Sequence, residues 1–302
     1  MSLQNSILKT IAFFDIFDFP LTAEEVQEYL YNYKKPVHIK EIKGTLEQME
    51  RIERIHDFYV LKGRGKLVDV RKARKFIAEK FWGRVRQYGQ YIVRVPFVEM
   101  TAICNNLAYD NPTELSDIDL FIVIKEGRMW IARLIISLIL HFYGVRRHGD
   151  KIAGRFCLSF FVTPKKLNIE PLLLNQEDPY MAYWTKLIMP VFGEKTYNKF
   201  IEENRGWLEK SYGLKFSDKT RKQFGFHQKS FSQRFWEFAL KGFVGNFIEL
   251  LLKNTFKKHT LKKAGRLSHE ASVIVTDDIL KFHNHDRRRE YLEKWRKLVN
   301  NN

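Results

Sequence analysis

Polar and apolar positions along this chain follow two different periods, and the switches between them mark its elements. Near the N-terminus, Thr22 with Glu25 three residues on forms a capping box that opens a helix through Val26, Tyr29 and Leu30. Ile39, Ile42, Leu46, Met49, Ile52 and Ile55 then recur every three or four positions, the spacing of one helix stripe. Phe58 to Leu61 and Leu67 to Val70 flank Lys62-Gly63-Arg64-Gly65-Lys66, a basic glycine turn that predicts a hairpin. Arg71 to Tyr91 continues as a basic amphipathic helix.

From there the pattern alternates between strand and helix. Phe97 to Cys104 is an apolar strand, Leu120 to Ile124 extends a second one from Ser116-Asp117-Ile118-Asp119, and Arg155 to Thr163 is a third. Trp130 to Tyr143, mostly apolar, is a helix suited to packing on a sheet. Asp178 to Tyr212 reads as helical and aromatic, 213 to 230 as a polar link, and Trp236 to Phe256 as an amphipathic helix. The predicted fold class is α+β. A short mixed sheet with helices at 71–170 is flanked by a unit at 1–70 and a helical region at 171–302, and no internal repeat is seen.

Three helices and a hairpin at 1–70 look like a winged helix-turn-helix whose wing would carry Lys62, Arg64 and Lys66. Nucleic-acid contact through helix and wing is one expectation. A structural or dimerising role is the other, because Glu41, Glu47, Glu50 and Glu53 make the relevant outer surface acidic.

Composition adds a partner class. The chain has 302 residues, 45% of them hydrophobic and 15% aromatic, enough for two or three units with cores. Its net charge is +17, which favours polyanions: RNA, DNA, nucleotides or an acidic membrane surface. Between 61 and 100 there are eleven Lys and Arg against three Asp and Glu, a face able to hold a polyphosphate or simply to be solvated. Cys104 and Cys157 lie in apolar strand-like runs and read as buried reduced thiols rather than a disulfide framework. No signal-peptide pattern precedes the first element, and the longest uncharged apolar stretch, Leu134 to Leu140, is too short to span a bilayer. A cytoplasmic protein without a transmembrane segment is expected.

The chemistry concentrates at Asp117 and Asp119. On a strand, residues i and i+2 share a face, so the two carboxylates project side by side. Like charges there resist desolvation unless a cation lies between them. Carboxylate oxygens so placed suit Mg²⁺, which usually takes further ligands from substrate phosphates. The bland alternative is a solvated loop-to-strand junction in which Asp117 caps a turn.

The strand 97–104, the Asn105-Asn106 turn, a short link and then Ser116-Asp117-Ile118-Asp119-Leu120 together resemble the DNA polymerase beta-like nucleotidyltransferase superfamily, over about residues 80 to 165. The resemblance implies attack of a hydroxyl on the α-phosphorus of an NTP, with Asp117 and Asp119 as catalytic metal ligands for Mg²⁺. It implies Asn105, Asn106 and Ser116 as nucleotide-binding positions, and an acceptor whose identity the sequence does not name. Asn105-Asn106 stand in the family's Gly-Ser place. The third carboxylate that active members present on the later strand has no counterpart in Phe156-Cys157-Leu158-Ser159-Phe160-Phe161; Cys157 or Ser159 falls near it, with Asp150 before the strand and Glu170 after it.

A second expectation follows from that departure: a catalytically idle core acting as a nucleic-acid-binding regulator. A third is a basic peripheral membrane protein using residues 236–263, where Lys253, Lys257, Lys258, Lys262 and Lys263 follow apolar positions, although burial of that helix against its predecessors is the favoured outcome. His283 and His285 with Asp286, and His148 with Asp150, have zinc-ligand spacing, but no second cluster completes four ligands.

Overall fold

The computed structural model describes residues 1–175, 177–216, 231–264, 272–283 and 286–300. His285 and the side chains of His283, Lys262 and Lys263, invoked above for zinc or lipid, lie outside them.

The N-terminal unit begins with α1 (Leu3–Asp15), whose first turn is capped by Ser2 Oγ accepting from the Asn5 N–H. Strand β1 (Leu21–Thr22) runs directly into α2 (Ala23–Glu28) through the expected capping box. Thr22 Oγ1 accepts from the Glu25 N–H at 3.2 Å, and Glu25 returns the contact to the Thr22 N–H at 2.9 Å. Helix α3 (Ile39–Glu47) buries Ile42 and Leu46.

The helical stripe ends there. Ile52–Ile55 is a strand, β2, paired with β3 (Phe58–Leu61), which also pairs with β1. The hairpin thus turns at His56-Asp57, not at Lys62–Lys66, and Leu67–Val70 opens a helix instead of forming a strand. Isoleucines three apart keep the helix stripe going but fall on opposite faces of a strand; β-branched Ile suits the strand that forms, and His56 accepts the positive φ (55°) that a tight two-residue turn needs. The expected wing cation Arg64 points inward, pairing with Asp15 and Asp18 at 3.2 and 2.9 Å.

Helix α4 (Leu67–Val93) crosses residue 70 without a break. Its basic residues fasten it to the N-terminal unit. Arg71 pairs with Glu25 and lies 4.0 Å from the Phe19 ring centroid, and Arg74 pairs with Asp18. These guanidinium groups of the basic face are occupied by the protein itself.

The main sheet is mixed. It comprises β4 (Val98–Ile103), β5 (Ile118–Ile124), β6 (Phe156–Val162), β7 (Met189–Phe192), β8 (Ser272–Val275) and β9 (Ile279–His283), in the order β7-β4-β5-β6-β9-β8. β5 and β6 are parallel, linked through α5 (Met129–Phe142); every other neighbouring pair is antiparallel. The region expected to be helical after 171 therefore supplies three of the six strands. β7 carries Pro190, tolerated because β7 is an edge, and Lys281 interrupts the apolar run of β9; both blurred the strand signal.

Leu120, Ile122, Ile124, Phe156 and Phe161 pack against α4 and α5. Phe121, Val123, Phe160 and Val162 face the other way, toward α6 (Pro179–Leu187), α7 (Glu194–Trp207) and the N-terminal unit. Helix α10 (Arg288–Asn300) joins that second layer: Trp295 is buried, 5.0 Å from the Tyr31 ring, and its Nε1 donates to the Lys9 carbonyl at 2.9 Å.

The 236–256 segment departs from expectation. It forms two helices, α8 (Phe231–Ala239) and α9 (Phe243–Ala264), and its apolar residues Phe238, Phe243, Phe247, Leu250 and Leu251 are exposed rather than buried against earlier helices. A different stripe, Ile248, Leu252 and Phe256, makes the inward contact. No helix among the described residues is long and apolar enough to cross a membrane.

Candidate functional site

Backbone pairing sets the two aspartates. Ile118, fully buried, starts β5 and points into the layer under α4 and α5, so its neighbours Asp117 and Asp119 emerge on the opposite face, that of Phe121. Asp119 is in parallel register with Cys157 of β6. Ligand atoms of Asp117, Asp119 and Cys157 all lie within 4.8 Å of one another, and this is the three-residue group of metal-binding type found among the described residues. On β6 the residue that joins the two aspartates is the thiol Cys157, not a carboxylate. Ser159 lies two residues further along.

Asn105 occupies the left-handed region with φ 56°. That explains why a glycine suits the place and why asparagine is accepted there. Its Nδ2 donates to Asp119 Oδ2 at 2.8 Å, and its Oδ1 accepts from the Tyr180 hydroxyl at 3.1 Å. Asn106 faces its own turn, Oδ1 accepting from the Tyr109 hydroxyl at 3.0 Å. Ser116 Oγ accepts from the Thr113 N–H at 2.9 Å and so braces the loop that enters β5. Asn105 thereby joins the aspartate pair directly. Asn106 and Ser116 shape the turns on either side.

Electrostatics at the pair are unbalanced. Burial, then the neighbouring Asp117 charge, push the Asp119 carboxyl up to about 7. Arg147 opposes this, its Nη1 meeting Asp117 Oδ2 at 2.5 Å and Cys157 Sγ at 3.5 Å. Its position is fixed by the Arg147 N–H donating to the Phe156 carbonyl at 2.9 Å, beside the start of β6. Burial also pushes the Cys157 thiol well up, so it is held protonated.

Two hard carboxylates side by side fit a divalent cation of the Mg²⁺ type, while a protonated thiol is a poor ligand for it. Asp117 and Asp119 are therefore the residues that would hold such an ion, and Cys157 adds nothing to its grip. His148 and Asp150 do not enter the group.

Aromatic side chains line a cleft at Asp119. This cleft, of about 210 Å³, is lined by Asp119, Asn105, Asn106, Tyr180, Trp184 and Tyr291, among others. A second, about 110 Å³, shares Asn105, Tyr180, Trp184 and Tyr291 with the first and is also lined by Phe160, Lys281, Asp286 and Arg288. Lys281, in register with Phe160, donates from Nζ to Ser272 Oγ at 2.9 Å; burial and then Arg288 push its ammonium down to about 8. Arg288 is held by Asp286 at 2.6 Å and Asp178 at 3.1 Å. A larger cleft, about 250 Å³, lies apart from the aspartates between α2, α4 and β7, where Glu25 faces Arg71 and Glu28 faces Lys186.

Arg147, Lys281 and Tyr180 were not singled out from the sequence. Arg147 sits in a run of basic residues, Lys281 in an unrecognised strand, and Tyr180 in one of many aromatic turns. Chain order alone does not connect any of them to Asp119. Compared with known proteins, the chain matches no family model, no curated protein and no solved structure.

Proposed function

We propose that the chain is a nucleotidyltransferase of the polymerase beta type, binding an NTP with Mg²⁺ at Asp117 and Asp119 and passing a nucleotide to a hydroxyl acceptor. The observation that carries this reading is the convergence of two carboxylates beside a left-handed Asn105, at the start of a strand and next to an aromatic cleft. The N-terminal unit, with its helix, short strand, two helices and hairpin in that order, fits the winged-helix reading as an accessory module.

The ion would supply charge neutralisation for the triphosphate and for the oxygens that gain charge in transfer. The chain's own residues do the rest. Asp119 must be ionised to bind, so its carboxyl loses its proton as the complex forms. Asn105 orients that carboxylate through Nδ2 and is itself oriented by Tyr180. Arg147, released from Asp117, is placed to meet a phosphate oxygen, to which a guanidinium donates well. Tyr180, Trp184 and Tyr291 offer ring surface to a base. With Cys157 in the third place, activation of the acceptor hydroxyl relies on positioning rather than on a carboxylate base.

The test is incubation of the purified chain with labelled NTPs, Mg²⁺ and pooled acceptors: protein, RNA ends and small hydroxyl compounds. Labelled product that disappears in Asp117→Asn/Asp119→Asn supports the reading; product that persists in that variant removes these residues from the chemistry.

A second reading has its own observation. Cys157 in the third position and Arg147 seated on Asp117 also suit an idle core serving a nucleic-acid-binding regulator. Affinity for RNA or DNA that falls steeply with salt, without transfer activity, would favour it.

A further inference from the structure

We infer that α8 and α9 form a docking face for an anionic lipid surface, on which the protein lies without crossing it. Phe231, Phe235 and Phe238 recur along α8 at positions i, i+4 and i+7, and Phe243, Phe247 and Leu251 continue the series along α9. All six are exposed: Phe231 by 86%, Phe238 by 81% and Phe243 by 83%. Scattered single apolar residues on a surface need no explanation, but six bulky ones on two consecutive helices do.

Their outward aim is enforced by polar contacts on the opposite side. Glu249 accepts from the Trp130 and Ile131 N–H groups at 2.8 and 3.0 Å, closing the first turn of α5. Glu237 accepts from the Phe97 N–H at 2.8 Å, and Gln233 Nε2 donates to the Val95 carbonyl at 3.1 Å. Arg128 donates to the carbonyls of Leu240 and Lys241 at 3.0 and 2.7 Å, fixing the corner between the helices. A Cβ on Gly245 would meet the Leu240 carbonyl at 1.8 Å, so that corner is tightly closed as well. Rolling either helix to bury its aromatics would break these bonds.

Charge selects the occupant. Residues 231–258 contain five Lys and Arg against two acids, and both acids, Glu237 and Glu249, are turned inward to backbone N–H groups. Arg234, Lys241 and Lys258 are exposed among the aromatics. A phenylalanine-rich face ringed by cations matches the interfacial region of an anionic bilayer, where rings sit below the headgroups and ammonium groups remain level with them. A second copy is disfavoured, because each chain carries a net charge of +17. Leu138 and Phe142 of α5, exposed beside the Val95 segment to which α8 is tied, extend the same surface.

Co-sedimentation of the full chain with phosphatidylcholine vesicles, with and without phosphatidylserine, tests this. The wild-type chain is expected to pellet with the anionic vesicles. Phe235→Ser/Phe238→Ser/Phe243→Ser, whose side chains leave the interior untouched, is expected to partition at least about tenfold more weakly with an unchanged melting temperature. Lys241→Glu/Lys258→Glu is expected to lose the preference for phosphatidylserine. Failure of the wild-type chain to pellet with either vesicle overturns the inference. So does undiminished binding by the triple variant, which would assign lipid attraction to diffuse charge, or dimerisation through this face in gel filtration, which would assign it to a second copy.

Discussion

Asp119 meets two opposing demands. Its strand position buries it, and its neighbour two residues back carries the same charge. The protein answers with an amide from Asn105 and a guanidinium on Asp117, which leaves the carboxyl still pushed up to about 7. Arg147 is the informative residue to change. Arg147→Ala removes the competitor for Asp117, so divalent-ion affinity without nucleotide should rise about tenfold, whereas affinity for the metal–NTP complex should fall by a similar factor through loss of a phosphate donor. Titration calorimetry separates the two signs. Lys186 gives an independent check on burial. Its side chain is 2% exposed, and burial pushes its ammonium down to about 8, with Glu28 at 3.9 Å pulling the other way. Between about pH 8 and the ordinary lysine value of 10.5 the unfolded chain holds a proton that the folded one has shed. Stability should therefore rise with pH across that window. Lys186→Met should flatten the rise, worth at most about 3 kcal/mol, in urea titrations at either end.

At the scale of elements, the site depends on how β4 is held between β5 and β7. Gly193, with φ 86°, precedes α7 where the chain passes so close to β4 that a Cβ would lie 2.1 Å from the Glu99 carbonyl oxygen. Gly193→Ala combines that clash with left-handed strain. It should destabilise by about 2–4 kcal/mol, read as a lower urea midpoint, and loosen the strand that leads into Asn105. Elements with one unambiguous period were legible in the sequence: the capping box at Thr22, the strands at 98–103, 118–124 and 156–162, and the apolar helix α5, whereas the parallel pairing of the last two strands was not. Where spacing and residue type disagreed, or alternation was broken, the element was misplaced. Ile52 and Ile55 carry the spacing of a helix stripe but the β-branched side chains of a strand, so the first hairpin was set too late. β7 and β9 were missed because Pro190 and Lys281 break their alternation. The aspartate pair was legible because i and i+2 on a strand is a local relation. Arg147, Tyr180 and Lys281 reach the same place through pairings of β6, α6 and β9 that no local pattern encodes.

Across the whole molecule, the two ends of the chain close over one another. Arg51 donates to the carbonyls of Leu298 and Val299, at 2.6 and 3.1 Å, and Trp295 seats its ring against Tyr31. Tyr291, on the same helix, stacks on Tyr180 with ring centroids 5.4 Å apart and lines both clefts beside Asn105. The last helix is thus part of the wall of the candidate site. Trp295→Ala should destabilise by about 3–5 kcal/mol by the cavity it leaves. It should also weaken nucleotide binding more than its distance from Asp119 suggests, because Tyr291 would lose its seat; denaturation and binding measured on one preparation would show both. The central claim is that Asp117 and Asp119 together hold a divalent ion with a triphosphate. Its most direct test is equilibrium binding of a fluorescent NTP to the full chain, with Mg²⁺ or with EDTA, for the wild type and for Asp117→Asn/Asp119→Asn. The account predicts saturable binding that requires Mg²⁺ and weakens at least about tenfold in the double variant. Binding indifferent to Mg²⁺ and to both substitutions, or no binding at all, would contradict it.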